Sequence, residues 1–118
     1  MSGRKERDRA WPWGWRTMWV IAMFDLPTDT AAQRKAYARF RKALLKDGFS
    51  MMQYSVYIRH CASIENAATH VTRMGALTPP EGEVRFLTIT DKQFARIQTF
   101  LGKKRQPAPP PPAQIELF

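Results

Sequence analysis

An α+β domain is expected here: an antiparallel sheet backed by two helices, in the order strand, helix, strand, strand, helix, strand. Three features point to it. A continuous apolar run, Trp19 to Phe24, ends at Asp25 and Pro27 and reads as a buried strand closed by a turn. Two later stretches repeat their apolar residues at steps of three and four, as helices with one buried face do. Between them, Tyr54, Val56 and Ile58 alternate with Ser55, Tyr57 and Arg59, the period of a strand.

The elements follow in order. Thr30 and Gln33 have the spacing of a capping box, and Asp29 sets negative charge beside the same helix start. A helix is therefore expected from about Ala31 to Lys46, with Tyr37, Phe40 and Leu44 toward the core and Ala36 and Ala43 as small neighbours. Gly48 stands where a left-handed residue ends a helix. Phe49 to Arg59 then holds two short strands with a break near Gln53. Ser63 caps a second helix whose apolar positions are Ile64, Ala67, Ala68, Val71 and Met74, ending near Gly75. Thr78 to Gly82 is a turn and Val84 to Thr90 a strand. Thr90 with Gln93 caps a short helical turn before a last core segment around Thr99 to Leu101. This order is the split arrangement of the ferredoxin-like fold, with both helices on one face of the sheet.

Length and charge set the outer bounds. A chain of 118 residues holds one core of ordinary size, taken to span residues 18–102. With 44% hydrophobic and 25% charged residues it has the balance of a folded domain. Nineteen Lys and Arg against ten Asp and Glu give a net charge of +9, which makes nucleic acid the obvious partner. One cysteine, Cys61, excludes an internal disulfide and every multi-cysteine metal site, and fits a reducing cytoplasm. Trp19 to Phe24 is far too short to span a bilayer, so no membrane association is expected. Residues 1–17 mix charge, Pro, Gly and Trp without period and read as a flexible basic lead. Residues 103–118 form a Pro-rich, stiff linker followed by an apolar strand pattern, in which Ile115, Leu117 and Phe118 suit pairing with the edge of another sheet.

Chemistry-bearing residues are few. Lys35, Arg39, Lys42 and Lys46 recur at four, three and four along the first helix, with Arg34 and Arg41 beside them. Such a stripe suits the sequence-independent neutralisation of phosphates, though a solvated helix face is the ordinary alternative. Asp25, Asp29 and Asp91 are the carboxylates at strand ends and turns. They can serve a metal, or they can simply accept hydrogen bonds and start helices. Nothing in the sequence pairs His60 or His70 with an acid–base partner for catalysis, so both are read as surface or structural residues, and Cys61 points away from His60 if the strand is regular. Tyr54 and Tyr57 are expected to pack in the core rather than to stack on bases.

Several ordered segments together carry a resemblance. Met23-Phe24-Asp25-Leu26-Pro27, Lys35-Ala36-Tyr37-Ala38-Arg39-Phe40-Arg41-Lys42, Met51-Met52-Gln53-Tyr54-Ser55-Val56-Tyr57 and Ile89-Thr90-Asp91-Lys92-Gln93 resemble the CRISPR-associated protein two family. The Pro-rich linker with its apolar ending is similar to the type II branch. The resemblance implies a homodimer that binds double-stranded DNA, protospacer and repeat, as the central scaffold of the CRISPR integrase complex in spacer acquisition. It also implies, for some members, a magnesium-dependent endonuclease acting on RNA or DNA, with Mg2+ held by the aspartate that here is Asp25. The basic lead departs from the family's usual start.

Overall fold

The computed structural model describes residues 17–102 and 104–106. The expected order is present: β1 (Met18–Asp25), α1 (Ala31–Lys46), β2 (Ser50–Gln53), β3 (Val56–Cys61), α2 (Ile64–Gly75), β4 (Glu83–Thr90), the short helix α3 (Asp91–Ala95), β5 (Thr99–Leu101) and β6 (Lys104–Gln106). Strands β1 to β4 form one antiparallel sheet in the order β2-β3-β1-β4, so β1 and β3 are central while β2 and β4 are edges. This is a ferredoxin-like α+β arrangement.

The apolar run of β1 is continuous because both faces of that strand are covered. On one face Val20, Ala22 and Phe24 meet Phe40 and Leu44 of α1, Ala67 and Met74 of α2, and Tyr57 and Cys61 of β3. On the other, Trp19 and Ile21 pack with Ile58 and with Phe94 of α3. The indole of Trp19 stacks on Phe94 at 3.9 Å and donates its Nε1 hydrogen to Asp91 Oδ1 at 2.7 Å. Burying an indole is favourable only when its N–H finds such a partner.

The caps form as the spacing predicts. Thr30 and Gln33 make a reciprocal capping box on α1, Ser63 caps α2, and Thr90 with Gln93 caps α3. Gly48, at φ +96°, ends α1. The break between β2 and β3 is the two-residue turn Tyr54–Ser55, in which Ser55 adopts φ +64°.

Three expectations fail. Thr99 to Leu101 is not a core segment: it is exposed, and pairs with β6 in a separate two-stranded sheet. The residue of this region that joins the core is Phe94, on α3. Tyr54 is 76% exposed, because the turn after Gln53 lifts it off the sheet, whereas Tyr57 is buried as expected. Ile64 and Ala68 of α2 are exposed, while His70 is buried on that helix. Residues 1–16 of the expected basic lead and the expected strand with Ile115, Leu117 and Phe118 lie outside the described residues.

Candidate nucleic-acid interface

Helix α1 is amphipathic in charge as well as in polarity. Phe40 and Leu44 are buried, and Arg34, Lys35, Arg39, Arg41, Lys42 and Lys46 are all exposed. At roughly 100° per residue, Lys35, Arg39, Lys42 and Lys46 fall within about 60° of arc, and Arg34 and Arg41 flank them on the Tyr37 side. From Lys35 to Lys46 the stripe runs about 16 Å. No acid stands in the first turn of α1, and among the described residues none of the six cations forms an ion pair with a carboxylate. Arg34 alone is tied down: its Nη1 donates to the carbonyls of Thr28 and Asp29, each at 3.2 Å. Lys35 and Arg39 also border a groove of about 350 Å3 whose far wall is Pro79, Pro80 and Glu81. Unpaired like charges at neighbouring helix positions repel one another. An anionic partner relieves that repulsion.

The carboxylates do not converge. Asp25 is exposed at the end of β1. On one side its strand neighbour is Glu83 of β4, and on the other the backbone N–H of Phe24 donates to the carbonyl of Ser55 at 3.0 Å. Asp29 starts α1, where its backbone N–H donates to Gln33 Oε1 at 2.8 Å. Asp91 lies at the opposite end of the sheet, because Thr90 pairs with Met18 in the register that pairs Glu83 with Asp25. Seven strand residues separate the two ends, about 23 Å. Asp91 is engaged with Trp19, so it is no partner for Asp25 in the same chain. Among the described residues no group of three or more His, Cys, Asp and Glu could hold a metal ion.

The histidines differ from each other. His70 is buried and its Nδ1 lies 2.7 Å from Asp47 Oδ2, while Arg73 Nη1 donates to Asp47 Oδ1 at 2.5 Å. Asp47 also receives Arg59 Nε on its backbone carbonyl at 2.8 Å, so one residue joins the end of α1 to α2 and β3. His70 is therefore a structural residue, one of the two roles expected of it, and its partner is Asp47. An acid at a helix C-terminus opposes the macrodipole, which favours a cation near Asp47, but nothing local in the sequence names His70 as the residue that meets it. His60 packs against Trp19, ring centroids 5.0 Å apart, and burial pushes its pKa below the ordinary imidazole value. Cys61 is fully buried among the residues under the helices, and burial raises its thiol pKa. His60 and Cys61 thus sit on opposite faces of β3 and make no catalytic pair.

A family profile described as CRISPR associated protein Cas2 matches residues 18–97. A CRISPR-associated endoribonuclease Cas2 of Parvibaculum lavamentivorans is 73% identical over 101 residues, 86% of this chain and 100% of that protein. One from Flavobacterium psychrophilum is 48% identical over 104 residues, 88% of this chain and 90% of that protein. One from Streptococcus mutans serotype c is 44% identical over 87 residues, 74% of this chain and 80% of that protein. No helix among the described residues is long and apolar enough to cross a membrane.

Proposed function

Since this chain belongs to the CRISPR-associated Cas2 family, we propose that it works in spacer acquisition as a homodimeric scaffold that holds double-stranded DNA within the CRISPR integrase complex. The observation that carries this reading is the exposed cation face of α1, which no carboxylate pairs among the described residues. Phosphate neutralisation by such a face releases condensed counterions and needs no base readout, which is what a scaffold for protospacers of any sequence requires. The exposed edge of β4 supports assembly by strand addition, with Ile115, Leu117 and Phe118 as the strand offered to a second copy or to an integrase subunit.

The relatives' names favour a second reading, an endoribonuclease, for which we propose Mg2+ as the cofactor. Asp25 is exposed and supplies one carboxylate oxygen donor, and Mg2+ is commonly held by one or two carboxylates with waters and substrate phosphates. A second Asp25, from a second copy, completes such a pair. The fit is therefore that of a shared site, in which Asp25 would hold the ion and the ion would polarise a phosphate and a bound water.

Integration of a labelled duplex by the reconstituted integrase separates the readings. Wild type and Asp25→Ala are expected to integrate equally, and an Arg39→Glu/Lys42→Glu variant to fail while keeping its fold. Loss of integration by an Asp25→Ala complex that assembles and binds DNA, or Asp25-dependent cleavage of RNA in magnesium, would establish the metal reading instead.

A further inference from the structure

Deepening the nucleic-acid reading, we infer that Tyr54, stacked on Tyr37 beside Arg34 and Arg41, is a platform on which one unpaired nucleobase stacks. Tyr54 is 76% exposed, the most exposed of the large hydrophobic side chains described. It is nevertheless held in place. Its ring lies on that of Tyr37, centroids 5.9 Å apart and planes 19° from parallel, and Tyr37 in turn packs against the core ring Phe24 at 5.7 Å. The Tyr37 hydroxyl is 3.0 Å from Ser55 Oγ, and Ser55 holds the turn at φ +64°, a conformation that side chains other than glycine seldom adopt. The positive φ at Ser55 belongs to the two-residue hairpin turn between β2 and β3, and it fixes the place at which the Tyr54 ring is displayed.

The setting indicates what covers that ring. Arg34 and Arg41 stand three residues before and four after Tyr37, the helical spacings that bring side chains onto one side. Arg41 has no hydrogen-bond or ion-pair partner among the described residues, and Arg34 uses one nitrogen of its guanidinium on loop carbonyls. Two cations at the edge of an exposed aromatic pair fit a nucleotide: its base stacks on the open face of Tyr54 and its phosphate lies toward the guanidinium groups. Asp25, joined to the same turn through the Phe24–Ser55 bond, repels a phosphate and so directs it to the α1 side. A fully paired duplex offers a stacking surface only at its end. A single ring of Tyr54 matches one base rather than the wide face of a terminal pair, so the ligand is a duplex with an unpaired terminal nucleotide.

The test uses the full chain and two short duplexes, one blunt and one carrying a single overhanging 2-aminopurine, whose fluorescence falls on stacking. Wild type is expected to quench the overhang severalfold. Tyr54→Leu should abolish the quench and weaken binding of the overhang duplex by about tenfold, with blunt-duplex affinity and the thermal midpoint unchanged. Tyr54→Phe should retain both the quench and the affinity. The inference is overturned by a quench that survives Tyr54→Leu, by equal weakening of both duplexes, or by loss of self-association in Tyr54→Leu, which would make the ring a protein contact. If neither duplex binds wild type, the nucleic-acid reading itself falls; if both bind without quenching, only the stacking platform does.

Discussion

At the scale of single residues, the environment of Asp25 is set by what its neighbours lack. Gly82 adopts φ +92°, and a Cβ there would stand 2.6 Å from the carbonyl oxygen of Asp25 and 2.9 Å from the Cα of Leu26. Both atoms belong to backbone, which cannot swing aside as a flexible side chain can. Gly82→Ala therefore combines an unfavourable backbone region with a collision against the end of β1. We expect it to lower stability by about 1–3 kcal/mol, read as the shift in urea midpoint at constant slope. An unchanged midpoint would mean that the turn before β4 relaxes without disturbing Asp25. Nothing in the sequence distinguishes Gly82 from any other turn glycine; the contact arises only when β4 is paired with β1. The exposure of Tyr54 was hidden in the same way. Its place in the strand alternation suggested burial, whereas it lies in the turn between β2 and β3 beside Ser55 at φ +64°.

At the scale of elements, α1 is fastened at both ends by different means. Its N-terminus is closed locally by Thr30 and Gln33, and its C-terminus, closed locally at Gly48 by the Phe49 N–H to Leu44 carbonyl bond, is also tied by Asp47 to His70, Arg73 and Arg59. The Asp47 carboxylate is 8% exposed, whereas the Arg73 side chain is 52% exposed, so the buried His70 contact dominates and the arginine is screened by water. Asp47→Ala should cost about 2 kcal/mol, because it leaves a buried imidazole nitrogen without its acceptor. In that background His70→Ala should cost less than it does in wild type, and equal costs measured by urea unfolding would show that the two residues do not act together. The contrast explains what could be read in advance. Capping boxes and helix bounds are local and appear where expected, whereas the alternation after Gln53 holds only from Val56 onward and the α2 period fails at Ile64 and Ala68. The Asp47–His70 pair, the separation of Asp25 from Asp91 and the exposure of β5 depend on strand order and register, which a single sequence does not encode locally. The cation stripe was legible because helical geometry alone places it.

At the scale of the whole molecule, the net charge of +9 matters through its distribution. A general excess of charge raises nucleic-acid affinity everywhere a little, whereas a stripe on one helix concentrates it along a line of about 16 Å that a duplex backbone can follow. The two cases differ in the salt dependence of binding. Each phosphate contact contributes about 0.9 to the slope of log affinity against log salt for duplex DNA. If Lys35, Arg39 and Lys42 all meet phosphates, replacing the three by alanine should make the slope shallower by roughly 2.7. All three are exposed and take no part in an ion pair among the described residues, so the thermal midpoint should barely move. Affinity should fall alike for duplexes of unrelated sequence, since backbone contacts carry no base information. Titration of wild type and triple variant across a series of salt concentrations measures this directly. A slope that does not change would place the phosphate contacts elsewhere on the molecule, and α1 would then be an ordinary solvated helix.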